Sequence, residues 1–195
     1  VALDMLTINE FIVDRIRLAV APLEVLLCCS HTHSGPIAYA DARSPRRDRE
    51  FIDVLVDRVA EAVRQAHANL QEARLEIASG SADVGINRRQ KMPDGHMEIG
   101  RNPAGARDAA LQVLSVLTTA GERLATVVNY ACHGTVLGPD NLLVSADWIG
   151  VMRAQVERDL GGTSLFLQGA AANINPDMYW EQACAFEKMT EQGRT

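Results

Sequence analysis

Residues 24–36 read EVLLCCSHTHSGP, and this stretch decides the fold class. Glu24 to Ser30 is a continuous apolar run of strand length, the pattern of a strand buried on both faces. His31 to Pro36 stops it with polar and small residues. A buried strand ending in a polar loop is the building unit of α/β sheets. Ligand sites form where such loops converge beyond the carboxyl ends of strands.

Upstream, Val1 to Leu6 reads as a short strand. Thr7 and Glu10 have the spacing of a capping box, and Phe11, Ile12, Ile16 and Val20 follow at helical spacing until Pro22. Downstream, Ala38 to Arg49 is a polar loop. Glu50 to Leu70 is a helix with Phe51, Leu55, Val59, Val63 and Ala66 on one face. Ala73 to Ala78 is strand-like. Ser79 to Ala106 shows no period and reads as one long loop of the kind that is functional or mobile. Leu111 to Thr118 and Leu124 to Ala131 form a hairpin around Ala120 to Arg123.

Ser145 or Asp147 caps a helix running to Leu160 and ending at Gly161-Gly162. Ser164 to Leu167 is a short buried strand, and a last helix starts near Trp180. The expected fold is therefore α/β: a mixed β-sheet with helices packed on it and a metal site at the carboxyl ends of its strands. Residues 1–195 form a single domain. Val1 already lies in a strand and the last helix is cut at Thr195, so the domain reads as truncated at both ends.

Composition narrows the function classes. The 195 residues are 47% hydrophobic and 23% charged, enough for a real core. A formal charge of -6 argues against nucleic acid or an anionic membrane as the main partner, because phosphate binding needs a basic field. No apolar run reaches the roughly 18 residues of a membrane span. A soluble protein is expected, cytoplasmic or secreted with its leader absent from this chain. The four cysteines, Cys28, Cys29, Cys132 and Cys184, match no disulfide scaffold or zinc ribbon and read as small buried hydrophobes.

Three small-residue loops follow apolar strands: HTHSGP at 31–36, CHGT at 132–135 and QGAAANINP at 168–176. In extended backbone His31 and His33 point to the same side, so they can present two imidazoles to one metal or reaction centre. Alone, such a pair is more often a surface or capping pair. His133 is the natural third imidazole, and Gly134 beside it permits close approach. A histidine at a strand end is, by itself, more often structural. Arg88 could clamp a carboxylate or an oxyanion, though its pattern alone fits a solvated basic loop. His67 reads as exposed and His96 as a turn residue with no role. Gly169 to Ala172 lacks both phosphate-loop patterns.

Four blocks in order resemble the neutral/alkaline non-lysosomal ceramidases: HTHSGP at 31–36, Asn87-Arg88, NYACHGT at 129–135 and QGAAANINP at 168–176. The resemblance spans most of the chain. It implies a zinc-dependent amidohydrolase in which a metal-activated water cleaves the N-acyl amide bond of ceramide or a related lipid or small-molecule amide. It makes His31 and His133 zinc ligands, and sets His33 and Arg88 as catalytic residues facing the substrate and the developing oxyanion. Asn175 takes a substrate-binding position. The family's zinc is completed by a Glu and a Tyr that come later than Thr195. With two imidazoles alone the site is short of ligands, and His33, Asp147, another carboxylate or residues beyond the chain would fill it.

Asn173 and Asn175 stand where relatives carry the Asp and Ser of a Gly-Asp-Val-Ser-Pro loop, so the Ser role does not transfer. The alternatives are a non-catalytic relative of the same fold and a metal-dependent hydrolase of a different ester or amide. The sequence sets no oligomeric state.

Overall fold

A computed structural model describes residues 1–39, 45–177, 190–191 and 193–194. Of the expected helix from Trp180, residues 190–191 and 193–194 are helical, and the rest, with Cys184, lies outside the described residues. The elements run β1 (Ala2–Leu3), β2 (Thr7–Ile8), α1 (Glu10–Val20), β3 (Cys28–Cys29), β4 (Ile37–Ala38) and α2 (Arg46–Ala68). Then follow β5 (Ala73–Ser81), β6 (Gly85–Lys91), β7 (Met97–Asn102), β8 (Ala110–Thr118), β9 (Arg123–Tyr130), α3 (Asp147–Leu160), β10 (Thr163–Gln168) and β11 (Ile174–Pro176). The fold is mixed α/β, as expected.

Two β-α-β units organise it. In the first, β1 and β3 pair in parallel, with Ala2 opposite Cys28 and Leu3 opposite Cys29, and α1 connects them. In the second, β9 and β10 pair in parallel with α3 between them in sequence. β8 and β5 extend that sheet antiparallel, in the order β10-β9-β8-β5. The β8–β9 hairpin read from the sequence is present, turning at Gly121 with φ 90°. A separate three-stranded sheet has the order β11-β6-β7.

Each unit has its own core. Val128, Tyr130, Trp148, Ile149, Phe166 and Ile174 fill one, with the Trp148 ring edge-on to Phe166 at 5.6 Å. Ile12, Ile16, Ile52, Val56 and Val59 bring α1 and α2 together in the other. The period of 3.6 in both helices is the direct cause of that contact.

The structure corrects several local expectations. Thr7 is not the helix cap. It pairs with Ile37 in the β2–β4 ladder, and Asn9 caps α1 by accepting the Ile12 N–H at 3.3 Å. The 24–30 run is buried on one face rather than two: Val25, Leu27 and Cys29 pack on the core while Leu26 is 73% exposed. Period-2 alternation was hidden because both faces carry apolar residues. Cys28 and Cys29 are accordingly half-buried, whereas Cys132 is fully buried as expected.

α2 begins at Arg46, inside the stretch read as a polar loop, because its first turn is too charged to show an apolar face. Residues 79–106 are no single loop. They hold the antiparallel pair β6 and β7, whose polar strands are registered by backbone pairing with each other and, for β6, with β11.

Candidate metal and substrate site

The candidate site is built from the loops beyond the carboxyl ends of β3 and β9. His31 follows β3 and His133 follows β9. The chains after these strands meet directly: Thr32 and Gly134 form an isolated parallel bridge, and the His33 N–H donates to the Gly134 carbonyl at 2.9 Å. Space at Gly134 is tight. A Cβ on Gly134 would sit 3.0 Å from the Thr32 Cα, so any side chain would push the two loops apart.

His31, His33 and His133 come together at this junction, with one ligand atom of each within 4.8 Å of the others. Ring centroids are 5.2 Å apart for His31–His33, 4.9 Å for His31–His133 and 5.5 Å for His33–His133. The route differs from simple strand alternation. His31 has φ 61°, a left-handed conformation that turns the chain and brings its ring beside that of His33.

The ring orientations follow from backbone carbonyls. His31 Nδ1 lies 2.8 Å from the Leu6 carbonyl, and His133 Nδ1 lies 2.9 Å from the Ile174 carbonyl. A carbonyl only accepts, so each Nδ1 must carry a proton, and in the neutral ring the lone pair is then on Nε2. This is the arrangement by which a backbone oxygen fixes the tautomer of a metal-binding histidine. Burial pushes the His133 pKa down to about 4, with Arg88 and the two neighbouring histidines adding to the effect. Partial burial, then His31 and Arg88, lowers His33 as well. Neutral imidazoles are the ligand form, so the donor set suits a borderline metal such as zinc.

Asp147, weighed from sequence as a further ligand, is not one. Its carboxylate accepts the backbone N–H groups of Val136, Leu137 and Trp148.

Arg88 reaches the same region from β6. The ladder with β7 slips between Asn87 and Arg89, placing Arg88 at a bulge, a device that re-aims a side chain. Its Nε donates to the Ala172 carbonyl at 3.0 Å and one terminal nitrogen donates to Asn175 Oδ1 at 3.2 Å. Asn175 is 1% exposed and belongs to β11. A pocket of about 220 Å³ opens beside them, lined by His33, Ser34, Arg88, Thr135, Asn141 and Asn175 among others.

All five residues singled out from the sequence therefore sit in one neighbourhood. Sequence reasoning missed the supports: Leu6 and Ile174 contribute only carbonyls, which carry no side-chain signal. His67 is exposed as expected. His96, given no role, is clasped between Asp94 and Glu98 on the β6–β7 turn, which raises its pKa.

Comparison with known proteins gives the family. The family profile described as "Neutral/alkaline non-lysosomal ceramidase, N-terminal" matches residues 15–178. The chain belongs to this family. Within it, the neutral ceramidase of Mycobacterium tuberculosis (strain ATCC 25618 / H37Rv) is 29% identical over 170 residues, covering 77% of this chain and 25% of that protein. The neutral ceramidase of Oryza sativa subsp. japonica is 28% identical over 156 residues, covering 73% and 19%. The chain thus spans a quarter or less of these two ceramidases. The crystal structure of neutral ceramidase from Pseudomonas aeruginosa superposes with a TM-score of 0.77 at 23% identity, over 99% of this chain and 34% of that one. That likeness establishes the ceramidase fold. No helix among the described residues is long and apolar enough to cross a membrane.

The lowered His133 pKa makes stability depend on pH. An unfolded imidazole titrates near ~6.5. The folded one resists protonation down to about 4, so the unfolded chain takes up the proton first. Stability is then complete above the unfolded value and is lost as pH falls through this window. His96 acts with the opposite sign, since its raised pKa favours the folded state as pH falls. In a His96→Gln background, the urea midpoint of metal-free protein is expected to be lower at about pH 5.5 than at about pH 7. A flat or rising midpoint would contradict a neutral, buried His133.

Proposed function

We propose that this chain carries part of the active site of a zinc-dependent amidohydrolase that hydrolyses the N-acyl bond of ceramide or a related lipid amide. The observation that carries the reading is the cluster of His31, His33 and His133, two of them fixed by carbonyls with Nε2 free. His31 and His133 would hold the metal, with His33 at the pocket side of the cluster. Family membership supports the amide substrate.

Bound zinc supplies Lewis acidity, polarising an amide carbonyl and lowering the pKa of its water to about 7. The chain's own residues do the rest. Arg88 is held by Ala172 and Asn175 so that its guanidinium meets the pocket, where it stabilises negative charge developing on the carbonyl oxygen. His33, lowered in pKa and therefore neutral at pH 7, can take a proton during attack and return it to the leaving amine. Asn175 orients Arg88 and offers no nucleophile of its own, which supports water as the attacking group.

The test is fatty-acid release from N-acylsphingosine and from shorter N-acyl amines by the protein that carries this chain, before and after chelation and after zinc is restored. Release that stops with chelation and returns with zinc supports the reading. Release indifferent to chelation, or none from any amide by the zinc-loaded protein, rejects it.

A further inference from the structure

The three imidazoles come from loops that follow different strands, and β-sheet pairing alone does not fix their spacing beyond the single Thr32–Gly134 bridge. A short segment entering α3 does. Its central residue, Asp147, is 1% exposed and has φ 55°, a conformation that L residues rarely adopt. On one side, its carboxylate binds the loop after His133: Oδ1 accepts from Val136 N at 3.2 Å and Oδ2 from Leu137 N at 3.1 Å. The next residue, Trp148, donates its indole N–H to the carbonyl of His133 itself at 2.9 Å.

On the other side the segment binds the HTHSGP loop. Thr32 Oγ1 donates to the Ser145 carbonyl at 2.8 Å, Ser145 N donates to the Ser34 carbonyl at 2.8 Å, and Asn141 Nδ2 donates to Ser34 Oγ at 3.0 Å. Ser145 and Asp147 are tied to each other, since Asp147 N donates to Ser145 Oγ at 3.0 Å. The segment from Ser145 to Trp148 therefore joins both histidine loops, with the buried Asp147 linking its Ser145 end to the loop after His133.

We propose that Asp147 is a positioning residue: its carboxylate, with Ser145 and Trp148 on either side, sets the distance between His133 and the His31–His33 pair. A buried carboxylate that accepts three backbone N–H groups is a rigid staple, because three bonds hold it in one orientation within a low-dielectric interior. It touches none of the reacting groups. In its metal consequence the inference rests on the reading of the cluster as a zinc site; in its geometric consequence it does not.

Asp147→Gly relieves the left-handed backbone while removing the carboxylate, and Asp147→Asn keeps the shape while replacing one acceptor oxygen with a donor. The measurement is ring-to-ring NOE contacts among His31, His33 and His133 in labelled metal-free protein, with cobalt(II) titration followed by its visible spectrum. In both variants the contacts to His133 are expected to vanish while the His31–His33 contact persists. Cobalt affinity is expected to fall by about 10- to 100-fold, as for other residues that orient ligands. Wild-type contacts and affinity in Asp147→Gly would overturn the proposal. Should both variants fail to fold, Thr32→Val cuts the same link from the opposite loop through Ser145, and unchanged His133 contacts there would overturn it equally. Wild-type protein that shows the ring contacts yet binds no cobalt rejects the zinc reading alone, and the NOE comparison still decides the role of Asp147.

Discussion

On the proposed zinc site, the unaltered protein is expected to purify with about one ion per chain, and protein in which His31 and His133 are both replaced by Ala is expected to purify with none. Orienting residues alone are worth roughly 10- to 100-fold in metal affinity, and removal of a ligand costs more than removal of its support. Two lost imidazoles compound. The fold should survive, because His31 and His133 each spend only Nδ1 on the protein, in bonds to the Leu6 and Ile174 carbonyls. His133 is the more costly of the two to truncate: it is 3% exposed, so Ala leaves a cavity, and the Ile174 carbonyl keeps only the backbone N–H of residue 133 at 3.1 Å. Elemental analysis after purification with zinc and without chelator, read beside circular dichroism, checks this. Zinc retained at the same stoichiometry in the folded double variant would show that the cluster is not the metal site.

Arg88→Ala should cut kcat for amide hydrolysis by about 100- to 1,000-fold, the usual cost of losing one donor to a developing oxyanion, with a much smaller change in KM. The separation between kcat and KM matters, because a residue that merely holds the pocket open would raise KM instead. Arg88→Lys is no remedy. The guanidinium spends Nε on Ala172 and a terminal nitrogen on Asn175, and a lysine ammonium cannot hold that fork. An Arg88→Ala protein with nearly full kcat would remove Arg88 from the chemistry and leave it a structural bridge between β6 and the 172–175 segment.

The parts of this molecule that were legible in the sequence are those where one side chain or one period carries the information. Ile12 and Ile16 announce α1, Gly121 the β8–β9 turn, and Gly161 the end of α3. His31, His33 and His133 were legible as chemistry because imidazoles at strand ends are few and their loops are rich in small residues. What stayed hidden depends on partners distant in the chain. The strand β6 reads GINRRQK, with no apolar alternation, and exists because β7 and β11 supply its hydrogen bonds. The bulge that turns Arg88 toward the pocket is a property of two strands in register, which neither strand states alone. Asp147 looked from its position like a cap or a ligand. Its place as the acceptor for Val136 and Leu137 emerges only when those amides are brought to it.

The bond from Thr32 to Ser145 spans 113 positions in the chain, and the carbonyl that orients His133 belongs to Ile174. During synthesis the two histidines of HTHSGP leave the ribosome long before either support exists. The carbonyl that orients His31 belongs to Leu6 and precedes it, whereas the trio is complete only once the Ile174 carbonyl of β11 has reached His133. On the proposed metal site, loading is thus expected to follow completion of the domain rather than to seed its folding.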